Sequence, residues 1–449
     1  MIYDLIISGA GPVGLLSAYL AQKSGLKIMI LDKAGAPLKR GRADALNART
    51  LQFLELAGLF NEIYPLGLPC KTSSVFKQGQ FVSRQSEWWD GLEGCYHKHF
   101  LMLGQAKIEK ILNEKISVRR EVELIDIKIK NDLCVCTLSN GESLTSQYVL
   151  GADGARSFVR SHFNIPFPLN RPEIVWAVLD AEFDTDFPMN PEIVVFQSET
   201  SDVAKIPREG NIERFYIRMD KKDFKEEEVL SKIRNAIAPY KIKIKRRSWF
   251  SQFSVKESVA ENYSIENKVF LAGDACHVHS VNGGQGLNTG LADAVNLIWK
   301  IQMKINFSID LLKTYESERI PVAKSVIDSS GALVRATKFS QSGTHAHDYM
   351  KIVEERAGNI TGMGIHYKDQ RRLLDFKVGS TRIYSLLDYT KYTLLTSGDS
   401  KLEHIPEYIQ VIKMDKTSPY FGKTVLVRPD SYIQKIFDQN EELKLNMVF

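Results

Sequence analysis

An α/β fold is predicted, in which a discontinuous parallel-sheet domain is interrupted by a separate sheet of alternating polarity. Three observations carry this expectation. The chain opens on a strand, a glycine-rich turn, a helix and a second strand within residues 3–32. Two further junctions of an apolar run with a glycine turn recur far downstream, at 151–157 and 269–274. Between them, over 174–255, polarity alternates at the strand period, with a single helical stretch near 224–238. A chain of 449 residues is long enough for two or three cores.

The first element is the run 3–8, followed by Gly9, Gly11 and Gly14 in the spacing GxGxxG, a helix to about Ser24, and a strand ending in Asp32 and Lys33. This is the dinucleotide fingerprint of a Rossmann-like βαβ unit: a tight turn, close approach of backbone to a pyrophosphate, and an acid for a ribose hydroxyl. Asp32 would repel a 2′-phosphate, so FAD or NAD is expected at this site rather than NADP. Next, Arg40, Arg42 and Asp44 lead into a helix that Gly58 stops. The arginines suit phosphates. Asp44 suits either an N-cap or a site acid. Residues 70–100 read as irregular, with Trp88, Trp89, Tyr96, His97, His99 and Phe100 forming either a small core or a pocket wall. Gln105 opens a further helix. Strand patterns over 117–137 lead to Gly151, Asp153, Gly154, Arg156 and Arg160, where a turn-stabilising role is the plain reading of Asp153.

The most informative stretch is 269–300. An apolar run ends in Gly273-Asp274, His277 and His279 follow, and Gly283, Gly284 and Gly286 precede a helix that begins near Leu287 and Asn288. Bare glycine backbone beside a helix N-terminus makes a place for a flat anion, although an ordinary strand–loop–helix connection has the same outline. Helices then run to about Thr337, with Pro321 expected to kink or interrupt them, and the final residues return to strand patterns.

Composition excludes several classes. Hydrophobic residues at 44% and charged residues at 25% are those of a globular protein. A net charge of +5 and a pI near 8.7 suit anionic cofactors and phenolate or carboxylate substrates, and are too weak to argue for nucleic acid. The basic run 241–247 alternates lysine with isoleucine, as a strand with one wet face does. Five unpatterned cysteines point to reduced thiols and a cytoplasmic location, with no metal site. The apolar run 2–21 carries Asp4 and is broken by glycine and proline, so no membrane segment is expected.

The three glycine motifs in this order, with the sequences GDACHVHS and GGQGLNTG, resemble the class A flavoprotein aromatic hydroxylases. The segments RADALNARTL and IPREGNIERFY are similar to the phenol 2-monooxygenase and 3-hydroxybenzoate 4-hydroxylase branch. The resemblance implies one FAD contacted by Gly9, Gly11, Gly14, Asp32, Lys33, Arg42, Gln105, Asp153, Arg156, Arg214, Gly273, Asp274, Gly284, Gly286, Leu287 and Asn288. It implies a catalytic set of Asp44, Arg208 and Tyr216 at a phenolic ring. It further implies a FAD-binding domain over 1–70, 101–165 and 255–345, a substrate-binding sheet domain over 71–100 and 166–254, and a linker with a shortened thioredoxin-like domain over 346–449. That last domain often dimerises, which allows a homodimer. No cysteine follows Cys276, which excludes dithiol chemistry there. Val281 departs from the family's proline and leads us to expect imperfect coupling of oxygen use to hydroxylation.

The implied reaction is hydroxylation of a phenol with NADPH or NADH and O2, through a flavin C4a-hydroperoxide. A carboxylate and a phenol differ by about 6 pKa units, or roughly 8 kcal/mol, so a lone acid is a poor base. Asp44, Arg208 and Tyr216 are therefore read as one unit. Rival readings are a FAD-dependent halogenase or reductase on the same fold, and a non-catalytic FAD protein that binds a metabolite. Trp88 and Trp89 are adjacent rather than in a Trp-x-Trp pattern, which disfavours the halogenase.

Overall fold

In the computed structural model, the described residues are 1–169, 174–197, 203–255, 257–279, 284–338, 346–397 and 405–437. Val281 and Gly283 lie outside them.

Leu5, Ile6 and Ile7 are fully enclosed, which a strand achieves only when both faces of its sheet are covered. Their strand, Ile2–Ser8, runs parallel to Ile28–Asp32 on one side and to Ser143–Gly151 on the other, and Val269–Leu271 extends the sheet in parallel beyond that. Register brings Ser8 opposite both Gly151 and Leu31, and Gly151 opposite Leu271. The three glycine motifs, up to some 260 residues apart in sequence, thus leave the carboxyl ends of three adjacent strands. This is the α/β parallel-sheet architecture that the pattern predicts.

Helices Pro12–Lys23 and Gln285–Phe307 pack against one another over this edge. A glycine at 290 permits it. A Cβ there would lie 2.7 Å from Val13 Cγ2 and 3.1 Å from Gly273 Cα.

The second sheet has the order Ile242–Val255, Ile174–Thr185, Glu213–Met219, Val203–Pro207, Ile193–Gln197, Ser73–Lys77, Gln80–Gln85. Residues 70–100 are therefore not wholly irregular: their first half is a hairpin whose inner strand pairs in parallel with Ile193–Gln197. Apolar spacing hid this, because Gln80–Gln85 is an edge strand with an exposed Phe81 and Val82. Trp88 and Trp89 stack at 4.2 Å within a core that includes Cys70, Phe100 and Met102, so these three aromatics belong to a core, while Tyr96 is exposed.

Two local expectations are corrected. Of the two outcomes expected at Pro321, a kink or an interruption, the second does not occur: the helix Lys313–Lys338 continues through it, with Val322, Ala323 and Val326 buried along it. The cap of helix Ala48–Ala57 is Asn47, whose side chain accepts from Thr50 N–H at 2.9 Å, and not Asp44. A side chain three residues further upstream is out of reach of the first turn.

At the C-terminal end, Tyr392–Thr396 pairs in parallel with Ile409–Lys413 and antiparallel with Thr424–Val427, which pairs with Ile433–Phe437. This sheet shares the hydrophobic core of the parallel sheet: Tyr392 meets Trp299 edge-on at 5.6 Å. Arg49, itself buried, donates to Tyr384 Oη, Ser431 Oγ and the Asp430 carbonyl. All five cysteines are buried free thiols. Among the described residues, no helix is long and apolar enough to cross a membrane.

Candidate active site

The first glycine loop shows two different uses of glycine. Gly9 sits at φ +100°, and a Cβ there would overlap the Ala152 carbonyl oxygen. A Cβ on Gly14 would overlap the Gly9 carbonyl oxygen. These two residues let helix, strand and the 151–154 turn close on one another. Gly11 is different, because a Cβ there would meet nothing within 4 Å. Its bare backbone faces open space at the N-terminus of helix Pro12–Lys23, where no side chain caps the free N–H groups. Asp32 holds this loop from the next strand: one carboxylate oxygen accepts from Ala10 N–H at 2.6 Å and the other from Ala34 N–H at 2.7 Å. Lys33 is exposed beside it.

The second motif is built by Asp153, which accepts from Val159 N–H at 3.1 Å and so fixes the short helix Phe158–His162, the turn-stabilising role. Its other oxygen is buried without a partner among the described residues, and burial raises its pKa against the hydrogen bonds of Ser157 and Val159. Arg156 is exposed. Arg160 joins this motif to the third, donating to Ala155 and Ala275 carbonyls.

In the third motif, Gly273 adopts φ +62° and its N–H donates to Asp293 Oδ2 at 3.0 Å. Asp293 also binds His277 Nε2 at 2.6 Å and Arg319 Nε at 2.7 Å. Burial alone would raise the Asp293 pKa, but His277 and Arg319 outweigh it and hold the carboxylate ionised. Asp293 was not singled out from the sequence, though an acid inside the apolar run 291–298 was a signal. Asp274, the next residue, takes no part in these hydrogen bonds and is exposed. The surrounding protein still withdraws enough water to raise its pKa, against the pull of His277 and Arg42. Cys276, His277 and Asp293 bring three ligand atoms within 4.8 Å, but Arg319 already neutralises the carboxylate and burial pushes the thiol well up.

The helix Gln285–Phe307 starts at Gly284, φ +60°, with no side-chain cap among the described residues. Gly286 and the backbone of Leu287 belong to its first turn, while the Leu287 side chain is in the core. Asn288 departs from the expected role. Its oxygen accepts from Asn47 N–H and Thr50 Oγ1, and its amide donates to Ala45 and Gly284 carbonyls. All four hydrogen-bonding positions of that side chain are committed to protein. It clamps the two loops together and has none left for a cofactor.

A second constellation lies on the neighbouring sheet. Asp180 and Arg214 are opposite one another in antiparallel register, and form a fork: Arg214 Nε to Asp180 Oδ1 at 2.6 Å, Nη2 to Oδ2 at 2.8 Å. Arg208 Nη1 reaches the same Asp180 Oδ2 at 3.1 Å, while its remaining edge pairs with Glu209. Arg214 Nη1 donates to the Arg42 carbonyl at 2.5 Å and to Tyr216 Oη at 3.2 Å. Tyr216 in turn donates to Asp44 Oδ1 at 3.3 Å. Burial and Asp44 raise the Tyr216 pKa, so its hydroxyl is a neutral donor. Asp44 Oδ2 is buried with no hydrogen-bond partner among the described residues; its nearest cation is Arg214 Nη1, an ion pair at 3.2 Å. Asp44, Arg208, Arg214 and Tyr216 are thus brought together, with Asp180 as an unforeseen member. Gln105 is tied back to Glu109 at 2.7 Å and to Ala43 N–H, and Arg42 is exposed at φ +66°.

Residues 3–330 match the FAD binding domain family. The chain belongs to that family. Its FAD cofactor fits the open backbone at Gly11, the exposed Asp274 and two helix N-termini that no side chain caps among the described residues. A phenol 2-monooxygenase of Aspergillus fumigatus is 32% identical over 397 residues, covering 81% of this chain and 65% of that one. A 3-hydroxybenzoate 4-monooxygenase of Comamonas testosteroni is 29% identical over 416 residues, with the same coverage. The chain thus spans about 65% of the length of these relatives. Both stand in the class A aromatic hydroxylase family that the motifs resemble. Among solved structures, the rebeccamycin biosynthetic enzyme RebC with reduced flavin superposes with a TM-score of 0.81 at 19% identity, covering 100% of this chain and 98% of that one, which establishes the shared fold.

Proposed function

We propose that the chain is a FAD-dependent monooxygenase that hydroxylates a phenolic ring, with NADPH or NADH as reductant and O2 as oxidant. The observation that carries this reading is Asp44 Oδ2, a buried acceptor with no hydrogen-bond partner among the described residues, set between a neutral tyrosine and a pinned arginine. A phenol hydroxyl satisfies such an acceptor. Asp44 takes the phenol proton at Oδ2. Tyr216 donates to Oδ1, orienting the carboxylate. Arg214 and Arg208 offset the negative charge as it moves from Asp44 onto the ring oxygen. Bound FAD supplies the activated oxygen that the ring receives. Of the other residues named by the resemblance, Gly11 and Asp32 would hold that cofactor at its pyrophosphate and ribose, with Gly9 and Gly14 shaping the loop around them; Arg42 and Asp274 would lie along its phosphate and ribityl segment, and the first turn of helix Gln285–Phe307 at its pyrimidine edge.

The relatives named for phenol and hydroxybenzoate support an aromatic substrate that carries a ring hydroxyl, whether a simple phenol, a benzoate or a polycyclic metabolite. We also propose a cytoplasmic enzyme, in keeping with five buried, unpaired thiols, and a homodimer. The test is NAD(P)H consumption by the purified flavoprotein over a panel of phenols, with product mass spectrometry. Substrate-stimulated oxidation with a product heavier by one oxygen is expected. A panel in which no phenol speeds oxidation or gains oxygen would sink the reading.

A further inference from the structure

We propose that Asp180 is a positioning residue for Asp44, acting through Arg214 to keep Asp44 Oδ2 open as a hydrogen-bond acceptor; the inference rests on the reading that Asp44 receives a phenol. An arginine beside an aspartate ordinarily forms a two-bond fork with it. Here Arg214 lies 3.2 Å from Asp44 and makes no such fork. Its fork-forming edge, Nε and Nη2, is taken by Asp180, and Nη1 is directed to the Arg42 carbonyl and Tyr216. Asp180 is itself buried and held in cross-strand register with Arg214 on one side and Trp249 on the other. The Arg214 guanidinium lies 5.3 Å from the Trp249 ring, which leaves it little room to turn while Asp180 is present. Arg208 adds a second anchor, because it binds Asp180 Oδ2 and is fixed in turn by Glu209.

The charges around Asp44 come from every neighbouring element: Arg42 from its own loop, Asp180 from Ile174–Thr185, Arg214 and Tyr216 from Glu213–Met219, and Arg208 and Glu209 from the turn before that strand. Removing Asp180 leaves Arg214 with one near carboxylate, Asp44. It should then close on Oδ2 and occupy the position a phenol needs.

The test uses the FAD-loaded protein and 4-nitrophenol, at a pH where the probe is un-ionised, with binding read from its absorbance. Four proteins are compared: the parent, Asp180→Asn, Asp44→Asn and the double variant. Asp180→Asn should bind the probe about tenfold or more weakly, the loss of one charge-assisted hydrogen bond. It should add nothing further in the Asp44→Asn background, since both changes remove the same charged acceptor. Equal binding by parent and Asp180→Asn overturns the inference, and so do losses that multiply in the double variant. If Asp180→Asn does not fold, Asp180→Glu serves in its place: its longer side chain keeps the charge but displaces the carboxylate from the Arg214 fork, and the same loss and the same lack of additivity with Asp44→Asn are expected. A parent that binds no phenol overturns both this inference and the proposed function. A parent that binds the probe through Asp44 and Asp180 but hydroxylates no phenol overturns the proposed function alone.

Discussion

Gly11 and Gly14 lie three residues apart in one motif, yet alanine should act on them in different ways. At Gly11 the backbone is extended, φ −74° and ψ −177°, which any residue adopts, and a Cβ meets nothing within 4 Å. Gly11→Ala should therefore leave the unloaded fold intact, and restricting the unfolded chain should stabilise it by about 0.4–1 kcal/mol. Its methyl would, however, occupy the space through which the pyrophosphate approaches the backbone. Losing one charge-assisted backbone hydrogen bond there, about 1.5–3 kcal/mol, corresponds to FAD binding weaker by about 10- to 150-fold. At Gly14 the methyl would overlap the Gly9 carbonyl oxygen, which is backbone and has no rotamer to yield. Gly14→Ala should cost at least the roughly 1–3 kcal/mol of an overpacked core before any cofactor is added. The assay is thermal unfolding of the deflavinated proteins, followed by FAD titration read by flavin fluorescence. A Gly11→Ala protein that binds FAD as tightly as the parent, or that melts as low as Gly14→Ala, would refute the placement of the pyrophosphate at Gly11.

Asp44→Asn should reduce hydroxylation by about 10²–10⁴-fold with flavin content per chain unchanged, measured by product formation against bound FAD. Asn47→Ala should do the reverse, lowering stability by about 0.5–2 kcal/mol in denaturant unfolding while turnover per folded molecule holds, because Asn47 is the helix cap. Asp274→Ala should weaken FAD retention during gel filtration, and undiminished retention would remove Asp274 from the cofactor site. Glu318 gives a pH prediction. Burial would raise its pKa, but Lys300 and Arg428 outweigh this and lower it to about 2 from an ordinary 4.5. A depressed carboxylate stabilises the fold fully above the unfolded pKa and loses that contribution as pH falls toward the folded one. Stability should therefore drop by about 3 kcal/mol between about pH 5 and pH 2, and Glu318→Gln should flatten that slope in denaturant titrations.

Much of the parallel-sheet domain was legible because glycine and strand patterns are local. The three turns at Gly9, Gly151 and Gly273 each announce a strand end, and a parallel sheet has few ways to arrange such ends. What local pattern could not give was the hairpin Ser73–Gln85, whose apolar side chains are divided between a buried strand and an exposed edge. Nor could it show that the cap is Asn47 and not Asp44, the residue read as a possible cap, since both residue types suit the role. Only the position of the first helical residue decides.

The site itself was half legible, and the missing half has one physical cause. Asp44, Arg208, Arg214 and Tyr216 stand out by type and by their match to a family. Asp180 and Asp293, which hold the arginines and the third glycine turn in place, do not, because each acts through partners fixed by tertiary packing. Arg214 meets Asp180 through strand register across 34 residues, and Asp293 meets Arg319 and His277 across a helix packing. Each does leave one trace in the sequence: a single acid in an otherwise apolar buried run, Val178-Leu179-Asp180-Ala181 and Ala292-Asp293-Ala294-Val295. An acid in such a position costs several kcal/mol of desolvation unless a cation or N–H group is aimed at it. The chain therefore contains a buried partner for each, and an acid that holds an arginine or a glycine turn at a site sets what that site can bind. Asp180 fixes which edge of Arg214 faces Asp44, and Asp293 fixes the turn from which Asp274 is presented.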